Sequence, residues 1–216
     1  MGGLLEDELL KERTQVRNLT LVNQGLMDQL NSFKRLNKSA ANFKSRLTDY
    51  DNTELHRACS MENLDYEFML LEFGSDPNAK NEDQETPLHF AVRTGNWHVV
   101  STLLMYDPDV DMVNKHGETA LHLASRLGIK EQIIKNLLIH NANINAINLN
   151  KETPLHLAVE NGNFQVAKIL MYFGANKYLK NNLGQDPVTL AKTKKQTDII
   201  ALLENDELWL AYHDEF

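Results

Sequence analysis

The sequence predicts an all-α solenoid of about five short helix–turn–helix repeats, and three recurring features predict it. A tetrapeptide of the form Thr-Pro-Leu-His, or a variant of it, returns every 33 or 34 residues. A glycine follows most of these tetrapeptides, and a pair of leucines follows later in the unit. A fixed period of this length is typical of stacked repeats, each too small to bury its own apolar face.

The tetrapeptides mark the starts of the first helices. They begin at Thr53, Thr86, Thr119 and Thr153, and a divergent copy begins at Asp186. Threonine caps a helix N-terminus through its hydroxyl, and proline is suited to the first helical position. The leucine and the alanine that follow form one apolar face, and the glycines (Gly95, Gly128 and Gly162) end the helix.

A second amphipathic helix follows in each unit. Val99-Val100 with Leu103-Leu104 illustrate its apolar face, and Ile133-Ile134 with Leu137-Leu138 repeat it. Trp97 and Phe164 occupy the same place at the start of this helix, where repeat cores take a hydrophobic residue, so both are predicted to be buried. Cys59 falls at a small-residue core position, which favours a buried thiol over a nucleophile.

These units resemble the ankyrin repeat, whose pattern is a turn, then T-P-L-H-x-A, then glycine and paired leucines. The resemblance covers residues 49–205, with units at about 50–82, 83–115, 116–149, 150–182 and 183–205. The last unit has Asp186 and Thr189 in place of threonine and histidine, which fits a terminal repeat with a more polar outer face.

Four histidines, His56, His89, His122 and His156, occupy the same repeat position and therefore form a column rather than a converging site. The resemblance implies that each imidazole makes structural hydrogen bonds within and between units. No metalloprotease, nucleophile-elbow or phosphate-binding motif occurs, so we expect no catalytic residue, no metal, no cofactor and no enzymatic activity. A single cysteine excludes an intramolecular disulfide.

Residues 1–48 lie before the repeats and contain no proline. Leu9, Val16 and Leu30 fall on an apolar seam with heptad spacing, which predicts a helical segment. Two interpretations remain open: a coiled coil that forms a homodimer or binds a partner, and a helix or hairpin that caps the first repeat. The acidic, aromatic tail at 206–216 is predicted to extend the final helix, or alternatively to act as a short linear motif or secretion signal.

The charge distribution favours a basic protein partner. Residues 1–48 carry eight of the 22 basic residues and five of the 30 acidic ones, so the remainder carries a net charge of −11. An acidic surface repels nucleic acid. No apolar stretch approaches the length of about 20 residues that spans a bilayer, which makes a membrane role unlikely. The single cysteine is typical of a reduced, cytosolic environment, so the protein is predicted to be cytoplasmic, or to lie in the host cytoplasm if it is an effector.

The resemblance also implies a binding surface, because ankyrin domains bind partners through their turn tips and the exposed side of their first helices. Carrying these positions over gives Glu82, Asp83, Glu85, Arg93 and Thr94, then Lys115, His116, Glu118, Arg126 and Leu127, then Leu149, Asn150, Glu152, Glu160 and Asn161. Tyr106 is added as an aromatic anchor, in a column with Phe73, His140 and Phe173.

The function that the resemblance implies is a protein–protein interaction scaffold or adaptor that binds its partner on the concave surface. The alternative is an effector of an intracellular bacterium or a virus that engages a host protein, an interpretation suggested by an asparagine-rich composition. An enzyme with an unfamiliar site in residues 1–48 is the third possibility, and no motif supports it.

Overall fold

The computed structural model describes residues 52–61 and 64–204, which all belong to the unit Leu47–Phe216. The helices of this part, in chain order, are α1 (Glu54–Ser60), α2 (Leu64–Glu72), α3 (Pro87–Thr94), α4 (Trp97–Leu104), α5 (Ala120–Leu127), α6 (Glu131–Ile139), α7 (Pro154–Glu160), α8 (Phe164–Tyr172), α9 (Pro187–Thr193) and α10 (Thr197–Glu204). The predictions for residues 1–48 and 206–216 lie outside the described residues.

The ten helices form five pairs, numbered here as units 1 to 5. Only two or three residues separate the helices of a pair, as at Gly95-Asn96, so the two run antiparallel. The first helices, α1, α3, α5, α7 and α9, pack one on the next in chain order, and the second helices do the same. The predicted all-α repeat solenoid is therefore confirmed.

The first helices begin as the tetrapeptides predict. Thr53, Thr86, Thr119 and Thr153 are extended N-cap residues, and each forms a reciprocal capping box with the histidine three residues later. In unit 5 the Asp186 carboxylate replaces the hydroxyl and accepts from the backbone N–H of Thr189 at 2.8 Å. The polar residue of the tetrapeptide thus fixes where each first helix starts.

The core runs continuously through the five units. Leu55, Leu88, Leu121 and Leu155 are each at most 2% exposed and occupy one repeat position, and Val99, Ile133 and Val166 fill equivalent places in the second helices. Cys59 is buried among them, as predicted. Because each first helix packs on the next, the apolar face that one unit cannot cover is covered by its neighbours.

The prediction that Trp97 is buried is wrong. Its side chain is 39% exposed and lies against the ring of His98, with 3.8 Å between the ring centroids. Trp97 shares a helical face with the buried Val100 and Leu104, but it is the first residue of α4. At that end of the hairpin, solvent reaches the indole. Phe164, at the equivalent place, is partly buried against the core.

None of the helices in the described ranges combines the length and the apolar character that crossing a bilayer requires.

Candidate functional site

The turn that precedes each first helix is built around a buried asparagine. Asn81, Asn114, Asn148 and Asn181 each accept, through Oδ1, a hydrogen bond from the backbone N–H four residues later, at 2.9–3.0 Å. The same four residues close the turn with a backbone bond to the carbonyl at that position. Asparagine favours such turns because its short side chain substitutes for a backbone acceptor. The residues between these two points form the turn tip of each unit.

Successive tips are joined by backbone hydrogen bonds. Lys115 N–H donates to the carbonyl of Asp83 at 2.9 Å, Leu149 N–H to that of His116 at 3.1 Å, and Asn182 N–H to that of Asn150 at 2.9 Å. The tips therefore form a continuous edge along one side of the stack, and each is positioned by the tip before it.

The tip of unit 3 approaches that of unit 4 closely at Gly117. The last residue of each described tip has a positive φ, and Gln84 and Lys151 tolerate this conformation with full side chains. At Gly117 a Cβ atom would lie 2.9 Å from the backbone nitrogen of Leu149. Glycine is required at this tip because of that approach, in addition to its φ of +72°.

The histidine column links the caps to the tips. The backbone N–H of Thr119 donates to Nδ1 of His122 at 3.2 Å, so Nδ1 is an acceptor and the proton of the neutral ring lies on Nε2. Nε2 then donates to the carbonyl of Glu152, in the next unit, at 3.0 Å. Equivalent bonds run from the other three histidines, at 2.9–3.1 Å, to Glu85, Glu118 and Gln185. The structural role that the resemblance implied is confirmed.

Burial lowers the pKa of all four imidazoles, and their hydrogen bonds to backbone carbonyls oppose this only in part. The pKa of His122 falls to about 4. The rings are therefore neutral at physiological pH, which matches the tautomer that the hydrogen bonds require. Within the described ranges, no group of three or more histidine, cysteine, aspartate or glutamate side chains is arranged to hold a metal ion.

Units 2 and 3 each contain an arginine–glutamate pair. Arg93 Nη1 donates to Glu85 Oε2 at 3.1 Å, and its Nη2 binds the other carboxylate oxygen. Arg126 Nη2 donates to Glu118 Oε2 at 2.9 Å. In both units the glutamate directly precedes the N-cap threonine, and the arginine lies eight residues later near the end of the first helix.

Unit 4 breaks this pattern, because Glu160 occupies the arginine position and Glu152 the glutamate position, and both line the same groove. Glu152 is held by amides instead: Asn148 Nδ2 donates to its Oε2 at 2.9 Å, and Asn150 Nδ2 to the same oxygen at 3.4 Å. Glu160 lies 3.6 Å from the ammonium group of Lys194, in unit 5, with both side chains 43% exposed. Exposed pairs of this kind contribute little energy.

A groove of about 500 Å³ lies between units 3 and 4. Its described lining combines carboxylates, one guanidinium and two leucines: His116, Glu118, Arg126, Asn148, Leu149, Asn150, Glu152, Leu157 and Glu160. Leu149 is 70% exposed at the tip, whereas Leu157 is buried. Such a lining offers charged and apolar contacts to another molecule, and it contains no serine, threonine or cysteine hydroxyl or thiol that could act as a nucleophile.

The groove brings together seven of the sixteen residues assigned to the binding surface from sequence: His116, Glu118, Arg126, Leu149, Asn150, Glu152 and Glu160. The residues that sequence reasoning missed are Asn148, recognised only as the start of a turn, and Leu157, at a core position. The repeat pattern contains the signal for both, because Asn148 lies next to the tip and Leu157 lies one helical turn before Glu160.

Two of the assigned glutamates do not project into solvent from the tips as expected. Glu85 and Glu118 are only 8% and 4% exposed, because each is turned toward the arginine of its own unit. Their burial corrects the expectation that both side chains lie exposed on the binding surface. Exposed acidic side chains at these tips are Glu82 and the half-exposed Asp83, which pairs with Lys115 at 2.6 Å.

Three further assigned residues lie apart from the groove or are engaged locally. Tyr106 donates to Glu72 at 2.6 Å and lies edge-on to Phe68, both on α2, so it belongs to the second-helix side of the stack and not to the groove. Thr94 Oγ1 donates to the carbonyl of Ala91 at 2.8 Å, and Asn161 Nδ2 donates to that of Leu157 at 2.9 Å. These last two side chains therefore satisfy the ends of their own helices.

A second cluster of ionisable groups lies in unit 1. Glu67 is fully buried, its Oε1 lies 3.9 Å from Cys59 Sγ, and its Oε2 has no hydrogen-bond partner among the described residues. Burial raises the pKa of Glu67 to about 8, and burial beside that carboxyl raises the pKa of the Cys59 thiol. A thiol with a raised pKa is a poor nucleophile at neutral pH.

The fold defines a class of protein, the all-α helical repeat solenoid. A family model described as ankyrin repeats (3 copies) matches residues 55–148 and 128–208, and the chain belongs to the ankyrin repeat family. A comparison with curated proteins finds no significant match.

Proposed function

We propose that this chain is a protein-interaction scaffold whose groove between units 3 and 4 binds a partner protein that presents basic groups. The observation that carries the proposal is the unequal charge of the groove. Glu118, Glu152 and Glu160 line it against a single guanidinium, that of Arg126. Because Arg126 already pairs with Glu118, the cationic partner that the described residues provide for the unit 4 carboxylates is the exposed Lys194, 3.6 Å from Glu160.

The surroundings support the same partner chemistry. Residues 49–216 carry a net charge of −11, which attracts a basic surface over a distance and speeds its association. Charges at the edge of an interface add little affinity, so apolar contacts must supply most of it. Leu149 is exposed at the edge of the groove, and the similarly exposed Leu183 lies at the tip of the next unit.

The groove has the rigidity that a binding surface needs. Its tips are joined to each other by backbone bonds, and the carbonyl of Glu152 is held by His122 from the unit before. A surface that does not rearrange loses less conformational entropy on binding. A typical specific interface covers about 800 Å² on each partner, which neighbouring repeats supply together.

Photo-crosslinking from two matched positions tests the proposal. Benzoylphenylalanine would replace Leu149, at the groove, or Ile139, at the end of α6; these side chains are 70% and 66% exposed. In a lysate of the native cell, we expect a defined adduct from position 149 that weakens as NaCl is added. Adducts from position 139 and none from position 149 would show that the groove is not the binding surface.

A further inference from the structure

The pattern of arginine–glutamate pairs contains a gap at unit 4. We propose that this gap is a recognition site for a guanidinium group, filled by an arginine side chain of the partner that binds between Glu152 and Glu160. The inference rests on the proposed function, since it names the group that the same groove binds.

The arginine–glutamate pairs of units 2 and 3 show the contact that a guanidinium group makes at these two repeat positions. The positions of Glu85 and Arg93 in unit 2, and of Glu118 and Arg126 in unit 3, bring a carboxylate and a guanidinium into contact. Glu152 and Glu160 occupy the same two positions in unit 4. An arginine that enters from outside would meet Glu152 as Arg93 meets Glu85, and would gain Glu160 as a second acceptor.

The Glu152 carboxylate is prepared for such a donor. Both amides that bind it, from Asn148 and Asn150, use Oε2. Among the described residues, Oε1 receives no hydrogen bond. Two fixed amides therefore orient the carboxylate and leave one oxygen to accept, which lowers the entropy lost when a donor arrives.

The geometry favours arginine over lysine. Arg93 reaches both oxygens of Glu85 with separate nitrogens, a two-pronged contact that a planar guanidinium makes and a single ammonium does not. Glu152 and Glu160 both line the groove, so their two carboxylates provide acceptors for both prongs. Lys194 approaches Glu160 from unit 5 at 3.6 Å, and its exposed ammonium is the internal competitor for the site.

The test uses the whole chain labelled with ¹⁵N and titrated with Nα-acetyl-arginine methylamide. Nα-acetyl-citrulline methylamide is the neutral isostere, and Nα-acetyl-lysine methylamide, with its ε-ammonium group free, is the ammonium probe. We expect saturable shifts of the Glu152 and Glu160 amide signals with arginine, weaker ones with lysine and none with citrulline. Equal shifts at Glu85 and Glu118, or equal responses to arginine and citrulline, would overturn the proposal.

Three variants sharpen the test. E160R supplies the missing internal partner and should weaken arginine binding by about tenfold or more. E131R, a control on α6 with the same charge change, should retain it. K194Q removes the competitor and should tighten binding by about twofold. Should E160R fail to fold, E160Q should also weaken arginine binding, by a smaller factor. Arginine binding that is unchanged in both variants would overturn the proposed site.

The photo-crosslink at position 149 separates this inference from the proposed function. If the arginine probe does not bind but the adduct persists in wild type and in E160R, the guanidinium site is wrong while the groove remains the binding surface. If the adduct is absent as well, both are wrong.

Discussion

His122 Nε2 donates a hydrogen bond to the backbone carbonyl of Glu152, 3.0 Å away in the next unit. The His122 side chain, which completes the capping box of α5, therefore also holds the backbone of Glu152, a residue that lines the groove. This hydrogen bond contributes both to stability and to the shape of the groove, because its loss would loosen the start of α5 in unit 3 and the turn of unit 4 together.

The first prediction concerns pH. Burial lowers the pKa of His122 from 6.5 to about 4, so between these values the unfolded chain binds more protons than the folded one. The free energy of unfolding should accordingly rise with pH in this window, and its loss on acidification should be on the order of 3 kcal/mol for this residue. Urea unfolding at a series of pH values measures it.

H122Q and H98Q are the matched variants for this experiment. H122Q should be less stable at pH 7 and show a shallower dependence between pH 4 and 6.5. His98 is exposed, so H98Q should retain the slope of the wild type. An identical slope in H122Q and wild type would mean that His122 does not contribute the effect.

The second prediction concerns Gly117. In G117A the new Cβ would lie within 3 Å of the Leu149 backbone nitrogen, so the tip of unit 4 must shift or lose its bond to the His116 carbonyl. We expect faster amide hydrogen exchange at Leu149 and a loss of stability of about 1–2 kcal/mol. K151A, at the equivalent position of the next tip, is the control, since a side chain already adopts φ +57° there. Equal exchange at Leu149 in both variants would contradict the steric argument.

The third prediction concerns the pair of Glu118 and Arg126. E118K places an ammonium group, at a position only 4% exposed, beside the guanidinium of Arg126. We expect a loss of about 2–3 kcal/mol, because a buried charge is left beside a like charge. E82K, at an exposed tip, makes the same charge change and should alter the melting temperature little. If E118K and E82K have the same melting temperature, Glu118 does not have the structural role that its burial indicates.

The fourth prediction concerns Lys177, which is buried and donates to the carbonyl of Leu203, near the end of α10, at 2.6 Å. K177M should leave this end of α10 without its donor and destabilise unit 5 by about 1–3 kcal/mol. Hydrogen exchange should therefore accelerate in α10 and not in α3. K180M, on an exposed lysine three residues later, should leave the exchange of α10 unchanged.

The repeat pattern was enough to predict the fold, because each of its signals acts within one helix or one turn. Thr119 caps α5 and His122 completes the capping box within four residues; the recurring tetrapeptide predicts the cap, and the resemblance to the ankyrin repeat implies the role of the histidine. The direction of a side chain relative to the next unit is a different matter. Trp97 lies on the face that periodicity assigns to the core, yet its side chain is 39% exposed at the end of the hairpin where it lies.

The binding surface was predictable in outline and not in its details. Sequence places Glu118 beside the tip, but whether its carboxylate points out or folds back depends on Arg126, eight residues later across the first helix. Tyr106 was assigned to the groove from its place before a turn, whereas contacts with α2 put it on the second-helix side. Such choices depend on how units stack, which a single repeat does not encode.

Thr189 has a consequence for lengthening the array. In units 1 to 4 the imidazole at this position reaches forward to a carbonyl of the following unit, and threonine, which occupies the position in unit 5, is too short to do so. A sixth repeat grafted after Glu204 would thus lack the histidine–carbonyl hydrogen bond that joins each pair of neighbouring units in the existing array. New repeats should be inserted ahead of Asp186, or T189H should accompany the graft.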